Sequence, residues 1–319
     1  MRQTITITAA EASTRIDAVC AERFPAISRS RWTAQGVFTH AAQLQKPKTR
    51  VQEGQVWEVA CTPGQRLSGK LLPYAAPLEI LADSDTWCVV HKPAGIAMHP
   101  SPSQPGQQTL VNILVHHFGT GLSQATDLIE GQVVERPGLV HRIDKPTMGL
   151  ILVAKTTATH AQLQSQWGSV EKYYLAWIHG TPPPQGVIEA GIRRDPLRRQ
   201  RMMVDDTHPD AKPARTSFLR LQQQGSTALL LCRLHTGRTH QIRVHLSSLG
   251  FPIVGDALYG GEASSQGLRL YATALGFDNP DAPSHRQWVY DPFCLTAAGG
   301  GQEEVTAGID RLRDLTTMR

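Results

Sequence analysis

The sequence predicts a mixed α+β protein whose larger part is built on a mainly antiparallel sheet, preceded by a small α+β unit. Three observations carry this expectation. Short apolar or aromatic runs at 150–154, 172–178 and 228–234 have the length and composition of strands. Other segments place apolar residues at helical spacing and end at glycine. A stretch rich in Pro, Gly and Lys, residues 61–76, reads as a linker behind the first unit.

The 319 residues allow one large core or two domains. A hydrophobic content of 40% with 18% charged residues fits a folded chain and excludes a disordered one. Lys plus Arg less Asp plus Glu is 32 − 27 = +5, too mild to demonstrate a polyanionic partner by itself. The five cysteines, Cys20, Cys61, Cys88, Cys232 and Cys294, form no CxxC pair, so neither a disulfide framework nor a zinc site is expected. The N-terminus lacks the apolar core of a signal peptide, and no apolar run reaches membrane-spanning length. The expected setting is a reducing cytoplasm, with no membrane partner.

Residues 1–60 form the expected first unit. Ile5 and Ile7 alternate with threonine, as in a strand, and Ile16, Val19 and Cys20 follow at helical spacing. Ser28 precedes Arg29-Ser30-Arg31-Trp32, an N-cap with a basic first turn. Cations oppose the helix dipole there, which makes Arg29 and Arg31 candidates for binding phosphate. A small cap with solvated arginines is the competing reading.

The main domain is expected over 77–298. Strands at 78–81 and 87–90 flank Asp83-Ser84-Asp85, which has hairpin chemistry. His91-Lys92-Pro93-Ala94-Gly95 reads as a turn, with Lys92 a candidate phosphate contact. Thr109 caps a helix carrying Leu110, Ile113, Leu114 and Phe118, which stops at Gly119. A helix at 157–167 places Leu163 and Trp167 on one face. Five arginines crowd residues 191–201, and of these Arg198 and Arg199 are candidate phosphate ligands, although such clusters are usually solvated loops. A helix at 239–249 carries Ile242, Leu246 and Leu249 on its apolar stripe, with His240 and Arg243 on a polar face. Beyond Gly299-Gly300-Gly301, residues 299–319 are expected to be a loosely held tail.

The loop Gly138-Leu139-Val140-His141-Arg142-Ile143-Asp144-Lys145-Pro146-Thr147-Met148-Gly149 sets one acid, Asp144, among His141, Arg142 and Lys145, just before the strand at 150–154. Loops pinned to rigid elements often carry reactive groups. Taken alone, however, a surface turn in which Asp144 pairs with Arg142 is the simpler reading. His235, His240 and His245 recur every five residues, which fits neither one helix face nor one strand face, so no metal triad is expected. Ile143 interrupts the His-Arg-Asp run of a kinase catalytic loop, and no glycine-rich nucleotide loop lies upstream.

Four segments together resemble the RluA-type family of RNA pseudouridine synthases. They are Lys92-Pro93-x-Gly95-x-x-x-His99-Pro100, the loop from Gly138 to Gly149, Lys172-x-Tyr174-Leu175-Ala176, and Thr236-Gly237-Arg238-Thr239-His240-Gln241-Ile242-Arg243-Val244-His245. Gly250-x-Pro252-Ile253-x-Gly255-Asp256-x-x-Tyr259-Gly260 extends the last. The resemblance covers roughly residues 78–280 and implies a pseudouridine synthase catalytic domain. The first unit resembles, more loosely, a small RNA-binding module shared with a ribosomal small-subunit protein, with Phe38-Thr39-His40-Ala41 where a Val-Asn-Gly hairpin is usual.

The resemblance implies that Asp144 is the catalytic aspartate, Tyr174 the ring that stacks on the target base, and Arg243 the partner of the aspartate. It implies that Arg142 contacts RNA, and it adds His141, Lys172, Arg238 and His240 as RNA-binding candidates. It implies no metal and no organic cofactor; the chain is expected to act as a monomer. Thr147-Met148-Gly149 departs from the more usual Thr-Ser-Gly, and Leu270-Tyr271-Ala272 from Leu-His-Ala. The expected function is conversion of uridine to pseudouridine in structured RNA, with large-subunit ribosomal RNA favoured over transfer RNA. A catalytically silent RNA-binding or ribosome-assembly protein is the alternative. A phosphate-ester hydrolase using the histidines is a third reading, and it predicts metal dependence.

Overall fold

The computed structural model describes residues 2–317 except 25–26, 28–31, 34, 62–70, 101–105, 125, 130–131 and 199. Arg29, Arg31 and Arg199, the Ser28 cap and most of the expected linker therefore lie outside the described residues. The chain divides into two units. One comprises Met1–Leu72, His99–Gln107 and Gln124–Pro137; the other comprises Pro73–Met98, Gln108–Ser123 and Gly138–Arg319.

In the first unit, β1 (Arg2–Thr6), β2 (Val37–His40), β3 (Gln43–Gln45) and β4 (Val56–Ala60) form an antiparallel sheet in the order β1-β4-β2-β3. The helix Ile16–Arg23 buries Ile16, Val19 and Cys20 in one core with Phe38, Trp57 and Val59. The β2–β3 turn is made by Ala41 and Ala42, with φ of 49° and 61°. Asn-Gly is the usual choice for that left-handed pair.

The second unit is organised by a nine-stranded sheet. Its strands are β5 (Glu79–Asp83), β6 (Trp87–Lys92), β9 (Met148–Ala154), β10 (Glu171–His179), β11 (Gln185–Glu189), β14 (Arg215–Gln224), β15 (Thr227–Leu234), β16 (Leu270–Asn279) and β17 (Ala282–Tyr290). The order is β11-β14-β15-β10-β16-β9-β6-β5, with β17 pairing off β16. Only the β9–β16 pairing is parallel, so the sheet is mainly antiparallel and the class is α+β, as expected. The second unit also has a two-stranded hairpin of β12 (Ile192–Arg194) with β13 (Met202–Val204), and the first unit has one of β7 (Thr126–Ile129) with β8 (Gln132–Glu135).

Strand periodicity decides which residues reach a cleft. On β10, Tyr173, Leu175 and Trp177 enter the hydrophobic core, while Lys172 and Tyr174 line a cleft. On β16, Tyr271 joins the same core and Leu270 faces the cleft. Both departures from the family pattern thus fall on the core side, since Met148 also packs against that cluster. Gly149 is needed where β9 meets β16, because a Cβ there would sit 2.2 Å from the Ala272 carbonyl oxygen.

The expected loose tail is corrected by the structure. Gly299 (φ 73°) ends the helix Pro292–Ala298, and residues Gln302–Thr317 form a second helix. That helix buries Val305, Ile309 and Leu312 in the core of the sheet. Burial of such side chains favours folding by roughly 1.5–3 kcal/mol each. Arg313 adds a two-point contact to Glu171 on β10.

Candidate active site

Asp144 sits in the loop that leads into β9. Its carbonyl accepts from Thr147 N–H, closing a tight turn. Lys92 fixes the loop from beneath. Its Nζ donates to the carbonyl oxygens of Pro93 (2.8 Å), Ile96 (2.9 Å) and Lys145 (3.2 Å). Burial pulls this ammonium down to about 7, with Asp144 opposing. The expectation that Lys92 contacts phosphate is corrected, because the side chain is wholly enclosed and its three donors are spent on backbone.

His141 is also drawn toward the fold. Its Nε2 accepts from Leu152 N–H (2.8 Å), and its ring stacks on Trp167 at 4.7 Å. Arg142, next along, is exposed at the cleft rim.

Arg243 comes from the helix Gln241–Ser248. Its Nη1 donates to Asp144 Oδ2 at 3.0 Å. Its Nε and Nη2 grip the two oxygens of Asp256 at 2.8 and 2.9 Å. Burial alone opposes the cation, but the two carboxylates outweigh it and raise the guanidinium above its ordinary value. The fork geometry suits arginine and not lysine. The Arg243 guanidinium also lies 5.0 Å from the centre of the Tyr259 ring.

Tyr174 lines the same cleft as Asp144 and Arg243. Burial pushes its phenol up and the Asp144 charge adds to this, so it stays protonated. Lys172 and Arg238 line the cleft too. Lys172 Nζ donates to Val170 O at 2.8 Å and lies over Trp167, and burial lowers it to about 8. Arg238 Nε donates to Pro213 O. Arg238 also borders a second cleft of 440 Å³ lined by Arg193, Arg194, Lys212 and Asp210. Arg198 is exposed and lines neither cleft.

His240 Nδ1 lies 2.8 Å from Tyr259 Oη, and its Nε2 is 3.9 Å from Asp144 Oδ2. Burial lowers its imidazole below the ordinary value, against the pull of Asp144. The neighbouring rings turn elsewhere: His235 meets Ser217 Oγ, and His245 meets Thr216 Oγ1 and Ala190 O.

Three widely separated segments thus bring Asp144, Tyr174 and Arg243 to one place. Asp256 and Tyr259 were not singled out by sequence reasoning, although both lie in the quoted Gly-Asp-x-x-Tyr-Gly run. Nothing in the sequence sets Asp256 apart from an ordinary turn acid; the structure shows that Gly255 beside it (φ 81°) is held tightly, since a Cβ there would meet Gly267 O at 1.9 Å.

The RNA pseudouridylate synthase family matches residues 86–248. A protein named ribosomal large subunit pseudouridine synthase D from Xylella fastidiosa strain Temecula1 is 39% identical over 265 residues, spanning 82% of this chain and 75% of its own. The protein of that name from Pseudomonas aeruginosa strain PAO1 is 35% identical over 295 residues, spanning 86% and 87%. The solved structure of human RNA Pseudouridylate Synthase Domain Containing 1 shares the fold with a TM-score of 0.56 at 22% identity, over 77% of this chain and 96% of that one. The chain belongs to the RluA-type family of RNA pseudouridine synthases, isomerases that convert uridine in RNA to pseudouridine.

Proposed function

We propose that this enzyme modifies large-subunit ribosomal RNA in the cytoplasm, acting as a monomer, with Asp144 as its catalytic aspartate. The observation that carries the catalytic assignment is the meeting of Asp144, Arg243 and Tyr174 in one cleft. The names of the relatives from Xylella and Pseudomonas support ribosomal over transfer RNA.

The chemistry follows from what isomerisation requires. The C1′–N1 bond of uridine breaks, the base turns, a C1′–C5 bond forms, the C5 proton leaves and N1 gains one. A base inside a stack must first be extruded, at a cost of a few kcal/mol. Stacking on Tyr174 offsets about 1–3 kcal/mol of that cost. Asp144 acts in its ionised form, as nucleophile or as base toward the sugar. Arg243 donates to that carboxylate and, held by Asp256, fixes its direction. Arg142, Lys172 and Arg238 meet the RNA backbone around the flipped nucleotide, and the first unit adds affinity.

The test is pseudouridine mapping of ribosomal and transfer RNA in cells lacking the protein, complemented with wild type or Asp144→Asn. Ribosomal sites that vanish, return with wild type and stay absent with the variant are expected. Missing transfer RNA sites with intact ribosomal ones would redirect the assignment of substrate.

A further inference from the structure

His240 and Tyr259 make a pair that the mechanism above does not use. His240 starts the helix Gln241–Ser248 in a left-handed conformation, φ 56°. Side chains other than glycine rarely adopt it, and it recurs where a functional position is held against strain. The Tyr259 ring is 2% exposed and lies against the guanidinium groups of Arg243 (5.0 Å) and Arg201 (5.2 Å). Its oxygen accepts from Met202 N–H at 2.8 Å. A buried phenol proton requires an acceptor, and His240 Nδ1 stands 2.8 Å away.

That arrangement sets the tautomer. If the phenol donates to Nδ1, the neutral ring carries its proton on Nε2. Nε2 faces Asp144 Oδ2 across 3.9 Å, too long for a hydrogen bond, at the wall of the Asp144 cleft. The groups acting on the ring are Asp144 and Asp256, which favour its cation, and Arg243 and Arg142, which oppose it; burial also favours the neutral form.

We propose that His240 is a neutral donor whose Nε2–H bonds an oxygen of the flipped uridine beside Asp144, and that Tyr259 is the positioning residue that fixes this tautomer. The proposal rests on uridine isomerisation at Asp144. It gives Asp144 a neighbour that marks the oxygen side of the nucleotide without adding charge to the carboxylate.

The test is a double-mutant cycle in the full chain, read as turnover on uridine-containing RNA. Glutamine places an amide N–H near Nε2 and has no tautomer to fix. His240→Gln is expected to restore most of what His240→Ala loses. Tyr259→Phe keeps the ring under both arginines and is expected to lower kcat about tenfold, the effect of one lost or misdirected hydrogen bond, with KM changed less than about twofold. In the His240→Gln background the same change is expected to cost less than about twofold. An equal cost in both backgrounds, or His240→Gln as poor as His240→Ala, overturns the proposal. If the Tyr259→Phe chain does not fold, the imidazole 15N shifts of His240 in the wild type decide: protonation at Nε2 supports it and protonation at Nδ1 overturns it. A wild type that forms no pseudouridine overturns both this proposal and the function beneath it, whereas an active wild type with additive costs overturns this proposal alone.

Discussion

Replacing Asp256 by asparagine isolates the part of the site that holds Arg243 in place. Asp256 is 2% exposed and Arg243 5%, and two bonds of 2.8 and 2.9 Å join them. Asparagine keeps one acceptor oxygen but turns an NH2 group toward a guanidinium that can only donate. Removing one member of a buried ion pair costs about 3–5 kcal/mol. Here Asp144 still faces Nη1, so the cation is not left uncompensated, and the lower end, about 3 kcal/mol, is expected. At about 2–4 °C per kcal/mol, the thermal midpoint falls by about 6–12 °C. Catalysis suffers more. Without its two-point anchor the guanidinium can follow the Asp144 carboxylate, and a displacement of about 1 Å costs on the order of 10²-fold in rate. RNA affinity is expected to stay within about threefold, since Asp256 lies behind Arg243 and offers nothing to RNA. Thermal melting, turnover and RNA binding measured on one preparation test the argument. A lowered midpoint with wild-type turnover would show that Asp256 stabilises the fold without positioning Arg243, which refutes the reasoning.

Three further expectations concern the scaffold. Glu171 accepts from Arg313, Arg286 and Tyr173; burial works against its charge, but the bonds from Arg313 and Tyr173 and the nearby Arg233 charge lower its carboxyl to about 2 from 4.5. The stabilisation, about 3 kcal/mol, is complete above pH 4.5 and is lost as pH falls toward 2. Glu171→Gln should therefore be less stable than wild type to denaturant at pH 7 and converge with it near pH 2; a pH-independent difference would contradict the assignment. Ile309→Ala in the last helix should destabilise by about 2–5 kcal/mol, and a change within about 0.5 kcal/mol would mean that this helix is not part of the core. Ala41→Asn with Ala42→Gly should stabilise the first unit by about 1–2 kcal/mol by relieving two left-handed alanines, at φ 49° and 61°; loss of stability in chemical unfolding would contradict that.

Much of the central sheet was legible because β9, β10 and β15 are buried on both faces and spell out their burial as continuous apolar runs. β14 and β17 were not legible, because β14 ends in Gln222, Gln223 and Gln224 and β17 begins with exposed residues, so their pairing is set by neighbours and not by their own composition. The last helix was hidden behind three glycines. Its stripe of Val305, Ile309 and Leu312 has helical spacing, but its composition is otherwise polar, and Gly308 is there because the helix packs closely: a Cβ would meet Leu231 at 2.8 Å.

At the site, the motifs gave Asp144, Tyr174 and Arg243, and the fold brings them together. Lys92 shows the limit of such reading. A sequence displays its charge but not the three carbonyls that enclose it. Asp256 was missed for a related reason, because an acid that serves another residue looks in sequence like any acid in a turn.

The most direct test of the central claim uses RNA labelled with tritium at uridine C5, because forming the C1′–C5 bond must release that hydrogen. Wild type is expected to release tritium from a ribosomal RNA substrate and to leave pseudouridine in its place. Asp144→Asn is expected to bind the same RNA and release none. Tritium release by Asp144→Asn at a rate near wild type would contradict the account.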